Sequence, residues 1–240
     1  LRREHEWTSS TDLYVHPKTS NLDRLGSGFL RDLEGQTTQD LSPSDVAFHT
    51  LREYVPGDDR RHVHWKTTAR IGKLMVRQFV DTRRSFLSIV MSTNRADFLH
   101  EEEFELAVSM AASIGVKALR DEQTVTFVAG GRAVPSASAV SLLDSSSGIE
   151  LDDDGGLDHG IAQSNRIAAD ASIVAVIVGS TSAIADVRVA STQLKADARV
   201  LIFRADVHGD AGSQSIGSTT VISAPTLEDY SRLLFQVSQS

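Results

Sequence analysis

The chain has 240 residues, of which 40% are hydrophobic and 23% charged, a composition that supports a packed core and excludes wholesale disorder. It contains no cysteine, which excludes disulfides, thiolate metal sites and cysteine nucleophiles. No apolar run approaches the roughly 20 residues that span a bilayer, and residues 4–8 do not form the apolar stretch of a signal peptide. Because the first residue is Leu1 rather than methionine, we expect the chain to be part of a longer protein.

Charge is distributed unevenly along the sequence. The whole chain carries a formal net charge of −8, whereas residues 52–84 hold nine lysines and arginines against four acids. That segment is therefore net +5, which leaves −13 for the rest. A basic segment in an acidic protein marks either an anion or partner site, or a set of arginines that pair with nearby acids. The sequence leaves both interpretations open.

The first 84 residues predict a small β-rich segment. Residues 11–16 and 46–55 have the composition of strands, and the polar stretch 19–45, with its glycines, favours a loop. A further extended piece is predicted where apolar and polar residues alternate, at Val63, Trp65 and Thr67 and again at Leu74, Val76 and Gln78. His62 and His64 would then share one face of a strand, but two imidazoles without a third ligand are a weak basis for a zinc site.

From residue 85 onward the pattern changes to alternating strands and helices. Strands are predicted at 86–91, 124–129, 173–178, 199–204 and 219–222, and helices at 101–120, 136–144, 157–169, 182–196 and 226–237. Such alternation predicts an α/β fold with a mostly parallel sheet and helices on both faces. We therefore expect two domains, a β-rich segment over residues 1–84 and an α/β domain over residues 85–240.

The most informative segment is residues 51–74. It contains Arg-Glu-Tyr, Pro-Gly-Asp-Asp-Arg, a tryptophan, Ala-Arg and Gly-Lys-Leu in that order, at Arg52, Glu53, Tyr54, Pro56, Gly57, Asp58, Asp59, Arg60, Trp65, Ala69, Arg70, Gly72, Lys73 and Leu74. This order and spacing resemble the signature of the bacterial domain-of-unknown-function 58 family.

The resemblance carries several expectations. It implies a von Willebrand factor A-like, Rossmann-like domain after the signature. It also implies a membrane-anchored protein whose transmembrane helices lie upstream, so that this chain would be a soluble part on the cytoplasmic side of the membrane. The expected partner is a MoxR-type AAA+ ATPase in a chaperone-like assembly, together with a client protein that the sequence does not identify.

The residues expected to form a partner-binding or interdomain site belong to the signature: Arg52, Glu53, Tyr54, Gly57, Asp58, Asp59, Arg60, Trp65 and Arg70. Arginine forks and carboxylates can form bidentate pairs that lock the turn, and Trp65 would supply a large apolar anchor. The motif could join the two domains or face a partner, and both roles stay open.

A metal site is not expected. A von Willebrand factor A domain binds a divalent cation through Asp-x-Ser-x-Ser after its first strand, whereas Met91, Thr93 and Arg95 stand at those positions here. Only Thr93 offers an oxygen ligand, and Arg95 would bring positive charge toward the ion. The strand ending at residue 178 is followed by Gly-Ser-Thr-Ser rather than by an aspartate. We predict no metal and no other cofactor.

The leading hypothesis is a non-catalytic protein–protein interaction module. A second hypothesis is anion binding, to nucleic acid or acidic lipid, through residues 52–84, although the overall acidity and the lack of an aromatic platform argue against nucleic acid. A third hypothesis is an enzyme. Its site would be of an unrecognised kind, because the sequence has neither a phosphate-binding loop nor a Gly-x-Ser-x-Gly elbow.

Overall fold

The computed structural model of the protein describes residues 13–22, 46–55, 58, 60–81, 86–194, 198–217 and 219–239. They fall into two compact units. The signature unit is Gln36–Arg84, and the α/β unit combines Leu1–Gly35 with Ser85–Ser240.

The signature unit contains a two-stranded antiparallel sheet. Strand β1 (Val46–Glu53) pairs with β2 (Met75–Asp81), and the register shifts between Phe48 and Thr50. A short 3-10 helix (Arg60–His62) and helix α1 (Trp65–Ile71) lie between the two strands in the sequence. The small β-rich segment predicted before the α/β domain is therefore confirmed.

The extended piece predicted around Trp65 is wrong, because this stretch is helical. His64 caps α1 by accepting a hydrogen bond from the Thr67 N–H at 3.3 Å. Gly72 ends the helix in the left-handed conformation, with φ 80°, which glycine adopts without strain. His62 and His64 consequently do not share a strand face. The strand predicted at 11–16 is also absent from its described part, 13–16, and residues 11 and 12 lie outside the described residues.

The α/β unit is built on a seven-stranded sheet, whose strands are β3 Phe86–Met91, β4 Thr124–Ala129, β5 Arg132–Val134, β6 Ile173–Gly179, β7 Arg199–Ala205, β8 Gly212–Ile216 and β9 Thr219–Ala224. Their order across the sheet is β5-β4-β3-β6-β7-β9-β8. The five central strands are parallel, and the two at the edges, β5 and β8, are antiparallel to their neighbours. This is the mostly parallel, Rossmann-like arrangement that the alternating pattern predicts.

Helices cover both faces of this sheet. They are α2 Glu101–Arg120, α3 Ala139–Ser146, α4 Leu157–Ile167, α5 Ile184–Ser191 and α6 Leu227–Ser238. Alternate residues of β6 contribute to two separate cores, one shared with α2, α3 and α6 and the other with α4 and α5. All seven residues of β6 are buried, which explains its continuous apolar sequence. In the part of the chain that the structure describes, no helix is both long and apolar enough to cross a membrane.

Residues 13–22, which we call the N-terminal segment, belong to the α/β unit. His16 Nε2 lies 2.7 Å from the carboxylate of Asp144 in α3, and the Ser20 N–H donates to Ser113 Oγ of α2 at 2.9 Å. Leu22 is only 4% exposed and joins the core under α2. A segment without helix or strand is thus fixed to the helical layer.

Candidate functional site

The signature turn is closed by a bidentate ion pair. Arg52 donates from both terminal nitrogens to Asp58, with N–O distances of 2.6 and 2.7 Å. Asp58 also accepts the Val55 N–H at 2.8 Å, and its own N–H donates to the Val55 carbonyl at 3.0 Å. Two planar groups matched edge to edge give a geometrically specific contact, so this pair defines the turn that follows β1.

The environment of Asp58 favours its ionised form. The hydrogen bonds from Arg52, and after them the one from the Val55 N–H, lower the pKa of the Asp58 carboxyl to about 2. The carboxylate therefore stays charged far into the acidic range, and Arg52 stays paired with it.

The other predicted signature residues are distributed around this turn. Glu53 pairs with Lys73 at 2.5 Å, an exposed contact that joins the end of β1 to the residues before β2. The Tyr54 N–H donates to the Leu74 carbonyl at 2.9 Å and extends the same pairing. Gly57 and Asp59 lie outside the described residues, and Arg60 is described only in its backbone, as the first residue of the 3-10 helix.

Helix α1 has one side directed at β2 and one directed outward. Thr67 bonds the His64 ring at 2.7 Å, and Thr68 Oγ1 accepts the Met75 N–H at 3.0 Å. At about 100° per residue, the opposite side carries Trp65, Ala69, Lys66 and Arg70, which we call the tryptophan face. All four residues are exposed, and Trp65 is 65% exposed.

Trp65 therefore does not act as a buried anchor within the signature unit. Among the described residues, no carboxylate pairs with Lys66 or Arg70. The structure separates the predicted residues into two groups. Arg52, Glu53, Tyr54 and Asp58 organise the turn, whereas Trp65 and Arg70 face outward on α1.

A second candidate region is the carboxyl edge of the large sheet between β3 and β6. The chain leaves β3 toward β4 on one side and returns as β6 on the other, and ligands of open α/β sheets bind at such a switch point. Here the two loops are bonded to each other. Thr181 donates to the carbonyl oxygens of Ala96 and Asp97, at 2.6 and 3.3 Å. A Cβ at Gly179 would collide with the Asp97 carbonyl.

The loop after β3 is also tied to the loop before α4. Ser92 and Thr93 are buried, and their hydroxyls donate to the carboxylates of Asp97 and Asp152, the second at 3.2 Å. The Thr93 N–H donates to the Gly155 carbonyl at 2.9 Å. The oxygens that could have served a ligand are therefore engaged within the protein.

Met91 and Arg95 stand at positions where a von Willebrand factor A domain would have metal ligands, and the structure shows the surroundings of both. Met91 is fully buried in the core, and Arg95 is exposed near Asp153, with an N–O distance of 3.9 Å. Within the described ranges, no group of three histidine, aspartate or glutamate side chains is placed to hold an ion.

Glu103 is a feature that sequence reasoning missed. Its carboxylate is fully buried, and one oxygen accepts the Leu99 N–H at 2.9 Å and the Ser180 hydroxyl at 2.8 Å. Arg204 donates to the carbonyl of the same Ser180. The spacing of Glu103 in the sequence could have predicted this burial, because Glu103 stands four residues before Ala107 on the apolar stripe of α2. A charged residue buried at such a position needs hydrogen-bond partners.

Comparisons with curated proteins and with solved structures each found no match to the chain. The family model described as "Protein of unknown function DUF58" matches residues 50–141, from the end of β1 to the first turn of α3. The resemblance that the signature indicates is therefore confirmed for residues 50–141, which are similar to this family.

Proposed function

We propose that this chain is a non-catalytic protein–protein interaction module and that the tryptophan face of α1 is its contact surface. The observation that carries the proposal is the 65% exposure of Trp65 on a short helix that has no buried residue. A large aromatic side chain exposed beside two cations is typical of a protein interface, where tryptophan and arginine supply much of the binding energy.

The rigid turn beside α1 supports the same proposal. The Arg52–Asp58 pair and the capping contacts of His64 and Gly72 fix the backbone on both sides of the helix. A preorganised surface loses less conformational entropy on binding than a mobile one. The buried Ser92 and Thr93 support the proposal that the chain is not a catalyst, because their hydroxyls donate to carboxylates of the protein itself.

The resemblance to the family gives the partner to test first, a MoxR-type AAA+ ATPase. In this proposal the chain lies on the cytoplasmic side of the membrane as a soluble part of a membrane-anchored protein. The ATPase would act together with it on a client protein.

The test is a binding titration of the purified chain with a MoxR-type ATPase from the same organism. Truncation of a central interface tryptophan costs about 2 kcal/mol or more, so Trp65→Ala should weaken binding at least tenfold. Val189→Ala is the matched control, because Val189 is equally exposed on α5 of the α/β unit. Equal binding by wild type and Trp65→Ala would move the contact to another surface, and no binding at all would remove this ATPase as the partner.

Anion binding is the second candidate, and the two cations without described partners, Lys66 and Arg70, favour it. Binding to nucleic acid or acidic vesicles would weaken steeply as salt is raised. The check is a salt series with duplex DNA and with phosphatidylserine vesicles. A Lys66→Gln/Arg70→Gln variant that binds as well as wild type would exclude this surface.

A further inference from the structure

The α/β unit has a groove between the N-terminal segment and helices α2 and α6, with a volume of about 620 Å³. Its lining is mixed, with Val15, Leu106, Val108 and Leu227 among the apolar residues and Ser109 and Ser146 among the polar ones. A groove of about 300–1,000 Å³ is large enough to receive an inserted side chain. An indole suits a lining of this mixed kind, because it is large and mostly apolar and carries one N–H donor that needs a polar partner.

The surroundings of the groove are acidic. Glu105 of α2 lines it, and Glu101 and Glu102, both exposed, precede Glu105 on the same helix. In the described part of the chain these three carboxylates have no cationic partner. Lys18 is the opposing charge at the groove, and His16 is already bonded to Asp144. The carboxylates therefore outnumber the available cations, and a partner that brings positive charge is favoured.

The tryptophan face has the complementary properties. It presents one large apolar ring, Trp65, with Lys66 and Arg70 on the same side of α1. We propose that the groove of one copy of this chain receives the Trp65 side chain of a second copy, with Lys66 and Arg70 placed against the acids of α2. This inference rests on the proposed function, because it assigns a partner to the same face.

The overall charge of the chain favours such self-association. The basic segment 52–84 has a net charge of +5, whereas the rest of the chain, which includes the groove, has a net charge of −13. In the proposed pair, the basic segment of one copy meets the acidic part of the other. Opposite charges on the two surfaces speed encounter and set orientation, and the effect falls with ionic strength. If each copy offers both its groove and its tryptophan face to the other, the pair closes with twofold symmetry.

Sedimentation velocity on the full chain tests the proposal over a wide range of protein concentration. We expect a monomer–dimer equilibrium in wild type whose dissociation constant rises about tenfold between 50 and 500 mM NaCl. Trp65→Ala, Lys66→Glu/Arg70→Glu and Glu105→Lys should each be monomeric where wild type is dimeric. Circular dichroism confirms that each variant is folded.

Mixing two variants provides the decisive control. Trp65→Ala keeps an intact groove, and Glu105→Lys keeps an intact tryptophan face, so an equimolar mixture should form dimers although neither variant does so alone. The inference is overturned if wild type stays monomeric, if all three variants still form the dimer, or if the mixture stays monomeric. A monomeric wild type whose ATPase binding still depends on Trp65 would leave the proposed function standing.

Discussion

At the scale of the single residue, Asp58 is held by three donors, two from Arg52 and one from the Val55 N–H. Each donor favours the ionised carboxylate over the neutral acid, which is why the pKa of Asp58 falls to about 2. Because this value lies below the ordinary value of about 3.9, the stabilisation by the pair is fully present only above about pH 5, where the carboxyl is ionised in the unfolded state as well. That stabilisation is lost as the pH falls through the folded-state pKa.

NMR titration of the Asp58 carboxyl carbon checks this prediction. We expect a midpoint near pH 2 in wild type, since protonation must break the bonds to Arg52. In Arg52→Gln the midpoint should rise toward about 3.9, because the largest cause of the low pKa is removed. A wild-type midpoint near 4 would show that the pair does not persist in solution.

At the scale of the element, the strands and helices of the α/β unit could be predicted because their sequences have strong periods. Strand β6 is a continuous apolar run, and helix α2 has a wide apolar stripe. The sequence did not reveal β5 and β8, because both are short edge strands without an apolar period. Helix α1 was missed for a different reason, since Val63 and Trp65 imitate strand alternation while the capping residues His64 and Gly72 decide the backbone.

The same limit applies to the candidate site. Pairing between the arginines and carboxylates of the signature could be anticipated from their charges, but the choice of Arg52 and Asp58 is seen only in the structure. The outward direction of Trp65 could not, because it depends on α1 being a helix whose threonine side contacts β2. Glu101, Glu102 and Glu103 are all acids in the first turn of α2, where negative charge is favourable, and only its place on the buried stripe distinguishes Glu103 from the other two.

The start of α2 gives the element-scale prediction. Replacing Glu103 with alanine leaves the Leu99 N–H and the Ser180 hydroxyl without their buried acceptor, so the free energy of unfolding should fall by about 2–3 kcal/mol. Glu102→Ala removes an exposed charge from the same turn and should lower it by about 0.5 kcal/mol. Urea unfolding followed by circular dichroism measures both, and equal effects would contradict the role given to Glu103.

At the scale of the whole molecule, a segment near the start of the sequence completes the helical layer of the α/β unit. The N-terminal segment reaches α2 and α3 through polar contacts and places Leu22 in the core. A unit assembled from distant parts of the chain requires long-range contacts, and sequence periodicity does not indicate them. The strand composition of residues 11–16 is misleading here, because residues 13–22 have no strand pairing and instead place Leu22 in the core of the α/β unit.

Leu22 and Leu13 form a matched pair that tests this contribution. Leu22 is 4% exposed and Leu13 is 90% exposed in the same segment. Leu22→Ala should lower the free energy of unfolding by about 2–4 kcal/mol, because it removes buried methyl groups and leaves a cavity. Leu13→Ala should leave it unchanged within about 0.5 kcal/mol. Thermal unfolding of both variants checks the prediction, and similar melting temperatures for the two would refute it.

The two antiparallel edge strands have a consequence for solubility. A parallel sheet left open at its margins offers unpaired backbone groups on which another chain can extend it. Here β5 has three residues and β8 has five, and the central residues of β8, Ser213–Ser215, are polar and exposed. Short, polar margins of this kind are poor templates for strand addition. The apolar central strands are therefore shielded from fibril-like growth even in a concentrated solution of the protein.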